Sequence, residues 1–96
     1  MPKNHLLTIV AEECAEIQYE TCKALRFGLD DFYAPHSLDT NGKRLMDEFA
    51  DLVAIIEILQ KEGFLCNIDP DRIKSKKERV EKFLLYSKEK GLLNEV

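Results

Sequence analysis

Tryptophan is missing from this 96-residue chain, and histidine occurs only twice. Neither His5 nor His36 has a cysteine or second histidine at ligand spacing, which argues against a His/Cys zinc centre. A di-iron bundle needs Glu-x-x-His pairs, and none is present. Cysteine is also scarce. Cys14, Cys22 and Cys66 form an odd set without Cys-x-x-Cys, read as reduced, partly buried thiols rather than a disulfide framework. No histidine follows Cys14 at helical spacing to activate it as a nucleophile. No apolar run approaches the roughly 18 residues that span a bilayer, and nothing near the N-terminus reads as a signal peptide. No membrane partner is therefore expected, and the expected location is cytoplasmic. An excess of cations is lacking too: the formal net charge of -4 argues against a nucleic-acid partner, because phosphate backbones are held by clustered Lys and Arg.

With 45% hydrophobic and 33% charged residues, the chain has the composition of a globular protein, and its length suits one domain over residues 1–96. Three prolines and four glycines leave long uninterrupted stretches that suit helices. The first runs from about His5 to Phe27, with Asn4 as N-cap and Gly28 as the stop. Its apolar face carries Leu6, Ile9, Val10, Ile17 and Ala24. A second is expected over Gly42–Glu62, capped by Thr40 or Asn41 and ended by Gly63. Asp69-Pro70 reads as an N-cap followed by proline at the first helical position, opening a basic third helix that Gly91 ends. On this helix Ile73, Val80, Phe83, Leu84 and Tyr86 are expected to face inward. The fold class expected is all-α: a bundle of three main helices per chain, with room for a short extra helix in the 28–40 loop. The second helix is apolar on several sides, since Ala54 and Ile58 lie well round from Leu45, Phe49, Leu52 and Ile56. Such a helix needs partners on several sides, so a homodimer or homotetramer is expected to complete the bundle.

The informative residues are acids on apolar faces. Helical residues advance about 100° each, which puts Glu13 in the middle of the Leu6, Ile9, Val10 and Ile17 stripe, flanked by Glu16 and Glu20. Glu48 points between Leu52 and Ile55, with Asp51 a little further round. Taking a bare carboxylate out of water costs several kcal/mol. Two kinds of positive charge can offset this: a Lys or Arg partner such as Lys23, Arg26, Lys43 or Arg44, or a divalent cation. Glu13-x-x-Glu16 and Glu48-x-x-Asp51 are both i,i+3 pairs, so each pair shares one side of its helix. Facing each other, they offer an all-oxygen donor set suited to Mg2+ or Mn2+. In an antiparallel hairpin the connection must climb back about 12 Å, and a loop of about 13 residues spans that easily.

Glu12-Glu13-Cys14-Ala15-Glu16 followed by Glu48-Phe49-Ala50-Asp51 resembles the EExxE…ExxD signature of the all-α nucleoside triphosphate pyrophosphohydrolases, the MazG-like superfamily. The resemblance covers residues 5–62 well and continues more loosely through the third helix. The two motifs lie further apart here than is usual in the family. The resemblance implies Mg2+ held by Glu13, Glu16, Glu48 and Asp51, with Mn2+ as a substitute, and catalytic roles for Glu12 and Glu13, Glu12 acting on the attacking water. It implies hydrolysis of a nucleoside triphosphate to the monophosphate and pyrophosphate, as nucleotide-pool house-cleaning, in a homodimer or homotetramer. A dense set of acids would repel a triphosphate, so cations must help. Lys23, Arg26, Arg44, Lys76 and Arg79 are the candidates for substrate contact, together with Asn41. Tyr19, Phe27, Phe32 and Tyr33 are aromatic enough to stack on a base or to pack. The rival reading is a non-catalytic helical oligomerisation or nucleotide-binding regulatory module.

Overall fold

A computed structural model describes residues 1–32 and 38–93. Among them are three helices and no strand: α1, Lys3–Phe27; α2, Asn41–Lys61; and α3, Pro70–Glu89. The expectations for Tyr33, His36 and part of the extra helix in the 28–40 loop fall outside the described residues. The chain divides into two units, Met1–Cys66 and Asn67–Val96.

In the first unit α1 and α2 pack as an antiparallel hairpin. Gly28 stops α1 with φ of 96°, a conformation open to glycine and strained for any residue with a Cβ. Its N–H donates to the Ala24 carbonyl at 2.8 Å. The start of α2 is tied to this end of α1: the N–H of Asn41 donates to the Asp31 carbonyl and that of Gly42 to the Leu29 carbonyl, both at 2.9 Å. Gly42 allows that approach, since a Cβ there would lie 3.3 Å from the Leu29 oxygen. Thr40 caps α2 by accepting from the Lys43 N–H at 3.1 Å. Asn41, with no exposed surface, donates from Nδ2 to the Gly28 carbonyl at 2.9 Å and so clasps the end of α1 to the start of α2. At the other end the Met1 ammonium sits 3.7 Å from the Glu62 carboxylate. Beyond α2, Gly63 turns the chain and the Gln60 amide donates to the Cys66 carbonyl.

The start of α1 differs from expectation. It begins at Lys3 behind Pro2 with no side-chain cap, so Asn4 lies inside the helix, where its carbonyl accepts from the Thr8 hydroxyl. All three cysteines are exposed in the single chain rather than partly buried. Among the described residues the buried apolar side chains are Leu6 and Leu59, from α1 and α2. Met46 and Phe49 on α2, and Leu7 and Leu25 on α1, are exposed.

The second unit is built on α3. Asp69 caps it by accepting from the Asp71 N–H at 2.9 Å, Pro70 follows, and Gly91 turns out of it with φ of 68°. No residue of α3 is buried in the single chain, and the apolar residues expected to face inward are exposed, Phe83 by 62%. Helical periodicity assigns Ile73, Val80, Phe83 and Leu84 to one face, with Tyr86 well round from it, without specifying what covers that face.

Candidate functional site

The hairpin brings the two acidic motifs together. One oxygen each from Glu13 on α1 and from Glu48 and Asp51 on α2 lie within 4.8 Å of one another. Glu13 and Glu48 are partly buried, and Asp51 is open to solvent. Each helix supplies its acids from one side because i,i+3 residues share a face. Antiparallel packing then sets the two faces opposite each other.

This arrangement is electrostatically unfavourable by itself. The Glu48 carboxyl is pushed above the usual glutamate range, first by burial and then by the charges of Asp51, Glu16, Glu13 and Glu20. Glu16 therefore belongs to the same charged neighbourhood, although the three converging oxygens come from Glu13, Glu48 and Asp51. The Oε2 of Glu13 is buried without a hydrogen-bond partner. Buried polar atoms are ordinarily paired, so an orphaned carboxylate oxygen among other acids is an opening for a positive ligand. The donor set is all oxygen and closely spaced, which fits a hard divalent cation.

The cations named from the sequence divide into groups. Lys23 is 6% exposed and its Nζ lies 2.8 Å from Oε1 of Glu20, itself 6% exposed. The ammonium also sits 4.5 Å from the centroid of the Tyr19 ring. Arg26 is exposed and stacks on Phe27 at 4.9 Å. Lys43 pairs with Asp47, one turn along α2, and Arg44 is half-buried. Lys76 and Arg79 are exposed on one face of α3, in the second unit. Asn41 has the folding role described above, with its Oδ1 buried and unpartnered. Glu12 is exposed and contributes no oxygen to the converging set.

Sequence reasoning placed Glu20 beside the apolar stripe but gave it no role. The available signal was Glu20-x-x-Lys23, an i,i+3 pair of opposite charge one turn beyond Glu16. Among the described residues, no helix is long and apolar enough to cross a membrane. Comparison with family models, curated proteins and solved structures gives no match.

Proposed function

We propose that the chain is a Mg2+-dependent nucleoside triphosphate pyrophosphohydrolase of the MazG-like kind, acting as a homo-oligomer. The observation carrying this reading is the convergence of Glu13, Glu48 and Asp51 from two helices around mutually repelling oxygens. Carboxylates drawn this close repel one another, and a divalent cation would offset that repulsion. Support also comes from the EExxE…ExxD pattern, whose two halves are the parts that meet.

In this reading Glu13, Glu48 and Asp51 hold the cation, with Glu16 beside them. Bound there, Mg2+ would screen phosphate oxygens and lower the pKa of a water molecule. Glu12, exposed and next in sequence to the cluster, takes the proton from the attacking water. Arg26 and Arg44, on the same two helices as the acids, are the cations assigned to the phosphate chain. The exposed apolar side chains of α1 and α2 support an oligomer, because a hairpin whose buried apolar residues are Leu6 and Leu59 has little core of its own among the described residues.

Pyrophosphate and inorganic phosphate release from a panel of nucleoside triphosphates tests the reaction. Magnesium-dependent pyrophosphate from at least one substrate is expected. Release of phosphate alone would contradict the bond assignment, and release of neither would favour the non-catalytic module.

A further inference from the structure

Besides the residues that face its neighbour, each helix of the hairpin carries a second stripe. On α1 it runs Leu7, Val10, Cys14, Ile17 and Thr21; on α2 it runs Met46, Phe49, Val53, Ile56 and Gln60. Both repeat at steps of three and four, the spacing of a heptad seam. None of these residues is buried, and none is charged in a chain that is 33% charged. The two polar ones already have partners: the Thr21 hydroxyl donates to the Ile17 carbonyl and the Gln60 amide to the Cys66 carbonyl. Each stripe lies about a quarter turn round from the residues facing the other helix, such as Leu6 and Glu13 on α1 and Glu48 and Leu59 on α2. The rotation has the same sense on both helices. Because the helices run antiparallel, both stripes come to one side of the hairpin. Glu12, Glu16 and Asp51 are turned the other way, towards the opposite side.

We propose that this uncharged side docks on the same side of a second copy, giving a two-fold four-helix bundle. The inference rests on the homo-oligomer reading above and names the surface and the partner. Two contacts across the hairpin set its register, Glu13 with Glu48 and Asp51, and Met1 with Glu62. That register puts Leu7 abreast of Ile56, Val10 of Val53, Cys14 of Phe49 and Ile17 of Met46. The result is a stack of apolar layers, and a copy turned about a two-fold axis presents the same stack. The surface holds no charge with which to select an oppositely charged partner, whereas every copy carries its complement. A hairpin whose buried apolar residues are Leu6 and Leu59 thereby gains the core it lacks. Lys3 ends the stripe on α1 and Glu57 borders the one on α2, so charge stays at the rim. Docking on this side leaves Glu12, Glu16 and Asp51 facing solvent in each copy, where substrate can reach them.

Cys14 lies in the docking surface, and Cys22 and Cys66 lie outside it, so the thiols of the full chain provide the test. Sedimentation at micromolar concentration is expected to give a dimer or larger. On dilution until the assembly dissociates, alkylation of Cys14 is expected to speed up about tenfold while Cys22 and Cys66 keep their rates, because thiol reactivity follows access. Phe49→Asp places a carboxylate in the stack and is expected to weaken self-association by roughly a hundredfold or more. If that variant folds poorly, the Cys14 rates of the wild type still decide the matter. An oligomer in which Cys14 reacts at the same rate at every dilution, or in which Phe49→Asp associates like the wild type, would overturn this surface and leave the homo-oligomer reading standing. A monomeric wild type would overturn both.

Discussion

Burial and four neighbouring acids, Asp51, Glu16, Glu13 and Glu20, all act on the Glu48 carboxyl in the same direction. Because its folded-state pKa is raised, ionising it costs the folded chain more than the unfolded one. That cost is absent below the ordinary value of 4.5 and fully present above the raised one. Metal-free protein is therefore expected to gain stability from this group as pH falls from neutrality towards 4.5, in thermal unfolding with a chelator present. Glu48→Gln removes the same repulsion at neutral pH. It is expected to raise the metal-free midpoint by a few degrees and to abolish the stabilisation by magnesium. In the wild type that stabilisation reaches about 2.7 kcal/mol at a hundred times the dissociation constant. It should fade on acidification through the same window, where protons compete for the ligand oxygens. A metal-free midpoint lowered by Glu48→Gln would contradict this account of the cluster. Glu12→Gln separates the roles: turnover is expected to fall at least tenfold while the magnesium-induced thermal shift stays at the wild-type value. The acids themselves were legible in the sequence, because carboxylates on an apolar stripe are conspicuous. The buried state of Lys23 was not, since spacing alone cannot distinguish a solvated i,i+3 pair from a desolvated one.

Helix boundaries were readable where a side chain makes them. Asp69-Pro70 opens α3 and Thr40 caps α2, each through a carboxylate or hydroxyl that accepts a backbone N–H. Gly28 and Gly91 mark turns that need positive φ. The start of α1 has no side-chain cap, so local chemistry had nothing to reveal and Asn4 was a misleading signal. Thr40→Ala is expected to cost about 1 kcal/mol in denaturant unfolding, as the loss of one cap does. Asn41→Ala removes the Nδ2 bond to the Gly28 carbonyl, which keeps only the longer bond from the Asp31 N–H, and is expected to cost about 1 kcal/mol. Because this clasp sets how α2 returns beside α1, Asn41→Ala should weaken magnesium binding as well as stability. Unchanged magnesium affinity in that variant would show that helix packing alone aligns Glu13 with Glu48 and Asp51.

For the molecule as a whole, amphipathic patterning reveals which residues share a face but not what lies against it. Ile73, Val80, Phe83 and Leu84 of α3 show the point: their spacing puts them on one side of the helix, and they are exposed in the single chain. Likewise Met46 and Phe49 on α2 leave apolar surface that a second copy would cover. Sedimentation at micromolar concentration is expected to give a dimer or tetramer, and Phe49→Asp is expected to shift it towards monomer and lower the unfolding midpoint. A wild-type monomer would leave the oligomer reading without support. The most direct test of the acidic site is product analysis by phosphorus magnetic resonance, with magnesium and a nucleoside triphosphate substrate, for wild type beside Glu48→Gln. Monophosphate and pyrophosphate from the wild type, and intact triphosphate from an equally helical Glu48→Gln, are the results expected. Equal cleavage by the two proteins would contradict the assignment of catalysis to the Glu13, Glu48 and Asp51 site.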